Sequence, residues 1–200
     1  GIINCNGTTV DFTGGNYTNG GTFNIIGVGT TFTTNNQNFG TLNIAGTVTT
    51  LNGNLTAGNT TINNGAVLTT GSNNLTLNTL VCNGLLDVSG GGNIQINGNV
   101  TSPGIGLKTI TGGAGTINIT GNVTLAILTG GAGAIDISGN LNTSGNFTAS
   151  SGNTTLGGNL TVGGVFSHNN GTFIFDGTTN IGTNGLVFNN VTINNGNNRS

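Results

Sequence analysis

The chain has 200 residues, of which 40 are Gly, 38 Asn and 37 Thr, and its formal net charge is −2 at pH 7. Its charged residues are four Asp, Lys108 and Arg199, with no Glu. This lack of basic clusters excludes a nucleic-acid surface, which depends on several Lys or Arg against phosphates. No apolar run approaches the ~20 residues that span a bilayer, so no membrane insertion is expected.

Low charge with abundant Gly and Asn can signal disorder, but disordered chains lack regularly placed β-branched and aliphatic residues. Here such residues recur throughout in units such as "LNI", "INI" and "IDI". Thr, Val and Ile favour strands while Gly and Asn favour turns. The chain starts at Gly1 without an initiator Met or signal-like segment, which suggests a part processed or excised from something longer.

In chain order, residues 1–24 predict an irregular N-terminal coil, because "VDF" (residues 10–12) precedes Ile25 by only 13 positions. A repeated unit follows: apolar, polar, apolar, often then any residue and Gly-Asn-apolar. It reads "LNIAGTV" from 42, "IQINGNV" from 94, "INITGNV" from 117, "IDISGNL" from 135 and "TTLGGNL" from 154. Aligning second apolar residues gives Ile25, Ile44, Ile62, Leu77, Ile96, Ile119, Ile137, Leu156, Phe175 and Ile193. The steps are 19, 18, 15, 19, 23, 18, 19, 19 and 18 residues.

Alternation within each unit is a strand signal. A strand this short cannot stand alone, and a period of 18–19 residues is too short for a domain but suits one turn of a solenoid. The predicted fold is therefore all-β: residues 1–200 form one β-solenoid of about ten coils, a rod of roughly 50 Å at ~4.8 Å per strand. The long step holds "SPGIGLK" and the only proline, Pro103, and predicts a protruding loop at 101–109.

The Gly-Asn pairs read as corners, where Gly and Asn tolerate positive φ. Asn99, Asn122, Asn140 and Asn159 occupy this corner in four successive coils. Stacked at strand spacing, they predict a ladder in which each side chain bonds the next.

Sites of chemistry are sparse. "GGAGAIDIS" looks like the calcium-binding nonapeptide G-G-x-G-x-D-x-U-x, but Asp136 comes one residue late and the matching coil has Asn118. A hard divalent cation takes six or more oxygens, more than four scattered Asp residues supply. Asp11, Asp87, Asp136 and Asp176 lie far apart in the repeat count, which argues against paired-carboxylate catalysis. His168, in "FSHNNG", has no acidic or Cys neighbour and predicts a turn. No metal, cofactor or catalytic residue is expected.

Cys5 and Cys82 lie about four coils apart, roughly 19 Å. A disulfide needs Cα atoms within about 7 Å, so an internal bond requires the N-terminal segment to fold back. Two buried thiols and a bond between subunits are the other readings. Sequons occur at Asn6, Asn16, Asn54, Asn59, Asn74, Asn99, Asn118, Asn122 and Asn153, among others, many of them expected by chance in this composition. Threonine-rich stretches such as "TTFTT" raise ice binding, but Thr and Asn interchange from coil to coil, so no T-x-T column is expected to persist.

The period, the Gly-Asn corners and the Ile/Leu/Val strands resemble the β-helices of bacterial filamentous haemagglutinins and autotransporter passengers. The closing residues 166–196 are similar to repeats in secreted bacterial surface proteins. The resemblance implies a secreted, right-handed β-helix with a structural or adhesive role. Neither end shows a helical cap, although exposed solenoid edges are ordinarily capped or charged. The expectation is a non-enzymatic, extracellular or cell-surface structural protein: a protomer or segment of a filament or adhesin, self-assembling head to tail. A host surface or glycan is a further partner. The alternative is a binding module for ice or glycan, using one flat Thr/Asn face.

Overall fold

The computed structural model describes residues 1–14, 17, 21–47, 49–104, 106–177 and 185–194. Among them there is no helix, and every strand pair is parallel. The chain winds as a parallel β-solenoid of about nine coils, counted by the nine strands of its second sheet. A coil described in full passes through three strand positions, and the first two are joined in one sheet.

The first face runs through Asn38–Ile44, Leu55–Ile62, Leu75–Cys82, Ile94–Ile96, Ile117–Ile119, Ile135–Ile137, Asn153–Leu156, Thr172–Phe175 and Asn190–Ile193. Its inward column reads Phe39, Ala57, Leu77, Ile96, Ile119, Ile137, Leu156, Phe175 and Ile193. The second face starts at Ile2–Cys5 and Thr22–Ile25 and shares the three long strands with the first. It continues through Val100–Thr101, Val123–Leu125, Leu141–Thr143 and Leu160–Val162. The third face is the separate sheet, from Thr9–Asp11 to Phe166–Ser167.

Alternation explains the core. In many short strands apolar residues point inward and their polar neighbours outward, as in Ile117–Ile119, where both Ile are buried and Asn118 is not. The buried side chains form one continuous cluster along the axis, fed by all three faces.

The aligned positions Ile62 and Leu77 belong to different columns. Ile62 pairs with Cys82, whereas Leu77 pairs with Ala57, so the 15-residue step is a change of face and not a short coil. The cause is the corner. Asn38–Ile44, Leu55–Ile62 and Leu75–Cys82 pass from the first face to the second as unbroken strands, whereas later coils break there, as between Ile94–Ile96 and Val100–Thr101.

Residues 1–24, expected as an irregular coil, carry two strands that stack in register: Ile2–Cys5 on Thr22–Ile25, and Thr9–Asp11 on Thr30–Thr33. In the segment 101–109, residues 102–108 hold no described strand. Leu107 is exposed, yet Gly104 N–H donates to Asn83 Oδ1 (2.9 Å), which ties this loop to the preceding coil.

The aromatic rings gather at the two ends. Phe12, Tyr17, Phe23, Phe32 and Phe39 contact one another at the N-terminal end. Phe147, Phe166, Phe173, Phe175 and Phe188 do so at the other. No aromatic residue occurs between residues 40 and 146, so the middle core is aliphatic.

Candidate functional surface

The surface is built from outward positions, and the corners come first. Asn122 N–H donates to Asn99 Oδ1 (2.9 Å), Asn140 N–H to Asn122 Oδ1 (2.8 Å) and Asn159 N–H to Asn140 Oδ1 (2.7 Å). The bonds run from main chain to side chain, not from side chain to side chain as anticipated. The reason is local. The residue just before a strand's first inward position has its own N–H to satisfy, and the amide of the coil before supplies the acceptor.

The same rule produces ladders that the sequence reading did not single out. Asn74 N–H donates to Asn54 Oδ1, Asn93 N–H to Asn74 Oδ1 and Thr116 N–H to Asn93 Oδ1, each at 2.9 Å. Val165 N–H does the same to Asn146 Oδ1. Each of these Asn residues immediately precedes an inward Leu, Ile or Phe (Leu55, Leu75, Ile94, Phe147), so Asn before an apolar strand start was the available signal. A true side-chain amide ladder also exists, on the second face: Asn43 Nδ2 donates to Asn24 Oδ1 (2.8 Å) and Asn24 Nδ2 to Asn4 Oδ1 (2.6 Å).

The corner residues do not adopt the expected positive φ. Among the described residues, positive φ at non-glycine positions occurs at Asn35, Asn36, Lys108, Asn169 and Asn170, and none of the four corner Asn is included. Gly121 is glycine because of crowding: a Cβ there would lie 2.5 Å from Asn99 Oδ1 and from Gly98 main chain. The glycines of "GGAG", which occurs at 112–115 and again at 130–133, follow the same logic. A Cβ on Gly131 would collide with Gly113, and one on Gly133 with Gly115, in the coil beneath. They let two coils stack closely; Asp136 sits outward, opposite Asn118.

The third face carries one long threonine column. Thr9, Thr31, Thr50, Thr69, Asp87, Thr111, Thr129, Thr148 and Ser167 are successive pairing partners. In this one column Thr persists where interchange with Asn was expected. The column was hidden because the step between coils varies. No parallel second Thr column accompanies it: Thr33 pairs with Asn52 on one side, and Val67, Leu85, Thr109 and Ile127 line the other.

The remaining candidates stay apart. Asp11 and Asp87 lie on the third face and Asp136 on the first, while Asp176 sits after Thr172–Phe175 and accepts from Asn194 Nδ2. Thr13 N–H, donating to Asp11 Oδ1, holds that carboxyl below its ordinary range. No group of three His, Cys, Asp or Glu that could hold a metal occurs among the described residues. His168 lies in a turn and accepts from Asn170 N–H at Nδ1 (3.0 Å).

Both cysteines are free thiols. Cys5 is on the stacked strand Ile2–Cys5, so the N-terminal segment does not fold back toward Cys82, and an internal disulfide is excluded in this arrangement. Cys82 is buried and its thiol lies 3.5 Å from Thr109 O, a weak donor contact; burial pushes its pKa up to about 12. Burial also raises the Cys5 thiol. Asn16, part of the 166–196 stretch and Arg199 lie outside the described residues. No helix among the described residues is long and apolar enough to cross a membrane.

Comparison with protein-family models, with curated proteins and with solved structures finds no match.

Proposed function

We propose that the chain is a non-enzymatic, extracellular structural protein: a β-solenoid protomer or segment of a cell-surface filament or adhesin that joins others end to end. One observation carries this: an uninterrupted parallel ladder whose apolar columns run to both ends. Among the described residues, Ile2–Cys5 and Asn190–Ile193 each have one strand neighbour, and Ile3 and Val191, inward in their columns, are 43% and 48% exposed. Each of these two strands therefore presents an edge and an apolar surface on which a coil of another solenoid can stack. The four Asp residues on separate coils support a role without acid–base catalysis. The near absence of charge favours close lateral packing of rods in a surface layer.

Negative-stain microscopy of the purified chain is the test. Micrometre fibres are expected; monodisperse rods of roughly 50 Å would overturn end-to-end assembly.

The threonine column favours a second reading, ice binding through the third face. An ice-recrystallisation assay comparing the chain with Thr111→Lys tests it, and equal behaviour of the two proteins would rule it out.

A further inference from the structure

A trough crosses the first face in the N-terminal half, and the rod function makes no use of it. Its volume is about 370 Å³, within the range of small-ligand sites. Asn38, Thr56 and Thr76, successive partners in one outward column, form one wall. Asn59, Asn78 and Asn97 form the other, along the corner toward the second face. The floor is main chain at Gly40 and Gly58. A Cβ on Gly58 would run into the Gly40 carbonyl, so stacking keeps that floor bare. A second hollow of about 280 Å³ begins at Thr76 and continues past Gln95 and Asn118. The column from Asn38 to Asn118 spans five coils, so the two hollows extend over about 19 Å along the axis.

The corner explains why the trough is here. In Asn38–Ile44, Leu55–Ile62 and Leu75–Cys82 the inward alternation skips at the turn between faces, leaving two non-core residues in succession. One of each pair is Gly40, Gly58 or Asn78.

The lining selects the ligand class. Its polar side chains are amides and hydroxyls, each able to donate and accept, and none carries a charge. Asn59 Oδ1 is taken by the Thr79 hydroxyl (2.8 Å) and Asn97 Oδ1 by Gln95 Nε2 (3.0 Å), so their amide N–H groups remain as donors. A charged ligand would find no counter-charge. An apolar one would leave these groups without partners, at a cost in affinity. A hydroxyl-rich neutral chain satisfies both requirements, and a repeating one meets equivalent groups coil after coil. We infer that this trough binds a neutral oligosaccharide lying along the solenoid axis. The inference does not depend on end-to-end assembly.

The test is titration of the ¹⁵N-labelled chain with cellohexaose, maltohexaose or the hexamer of N-acetylglucosamine, with polygalacturonate as the charged comparison. At least one neutral oligomer should shift amide signals of Asn38–Ile44, Leu55–Ile62 and Leu75–Cys82. Thr76→Lys and Asn78→Lys, which place a long cationic side chain in the trough, should each weaken binding at least about tenfold. Thr129→Lys, on the third face, should leave it unchanged. No shift with any neutral hexamer at about 10 mM would overturn the inference. So would shifts confined to other faces, equal loss in all three variants, or polygalacturonate binding as well as the neutral chains. The unmodified chain carries the decisive titration, so a variant that fails to fold does not shield the inference.

Discussion

Cys5 and Cys82 occupy the same inward column, with Ile25, Ile44 and Ile62 stacked between them. They stand at one side-chain position of the solenoid, four ladder steps apart, and differ in what covers them: Cys5 lies in the first coil and is half-buried, Cys82 is sealed. Under native conditions, an alkylating reagent should label Cys5 at least tenfold faster than Cys82, which should react only on unfolding. Mass spectrometry of the labelled chain checks this, and equal rates would contradict the stacked position of Cys82.

The buried Cys82 also links stability to alkaline pH. Its folded pKa, pushed up to about 12, lies above the ordinary value of 9.0, so between these values the unfolded chain releases a proton that the folded chain keeps. Its contribution to stability should therefore be constant below pH 9 and fall above it, by at most about 1.4 kcal/mol per pH unit. Urea melts at pH 8, 9 and 10 measure the slope, and Cys82→Ala should reduce it to what the Cys5 thiol contributes.

Two buried hydroxyls, Thr49 Oγ1 and Thr60 Oγ1, have no hydrogen-bond partner among the described residues. Thr60 stacks between Leu42 and Leu80, in a column otherwise apolar there. Thr60→Val keeps the shape and removes the unpaired group, so it should stabilise by about 1 kcal/mol. An unchanged or lower urea midpoint would show that the hydroxyl finds a partner.

The corner ladder predicts an acceptor effect. Asn122→Ala removes the oxygen that accepts Asn140 N–H and should cost about 0.5–1 kcal/mol, a small value because the site is exposed. Asn122→Asp keeps an acceptor and should cost less. Identical losses in both variants would point to the amide's donor side instead.

Glycine crowding separates positions that sequence alone treats alike. Gly131→Ala sets a methyl against Gly113 main chain and should destabilise by about 1–3 kcal/mol. Gly14→Ala, with open space around it, should be neutral or slightly stabilising. Thermal melts of the two variants compare them directly.

Much of this architecture can be read without coordinates where a coil is copied at constant step. Ile117 and Ile119 stack on Ile135 and Ile137 as their 18-residue spacing implies. Legibility fails where the step changes. Ile62 and Leu77 look equivalent because both are second apolar residues, yet Ile62 ends one long strand on the second face and Leu77 stands near the start of the next, on the first. Cys82 succeeds Ile62 in its column, which the sequence hides because a thiol and an aliphatic group show a shared position only once strands are paired. Thr50, Thr69, Asp87 and Thr111 form a row that unequal loops conceal, the loop around Pro103 above all. The trough beside Thr76 is further from the sequence still, since it depends on which glycines lie under which neighbours.

The confinement of the rings to the two ends makes the molecule its own spectroscopic probe. Tyr17 is the one tyrosine, tryptophan is absent, and the ring packs on Phe39 and Phe12 near the N-terminal end. Its emission therefore senses the first coils, while far-UV dichroism sums over every strand. In a stack held by nearest-neighbour contacts, an end can melt before the middle. The gap between the two melting curves would measure the length over which the coils behave as one cooperative unit.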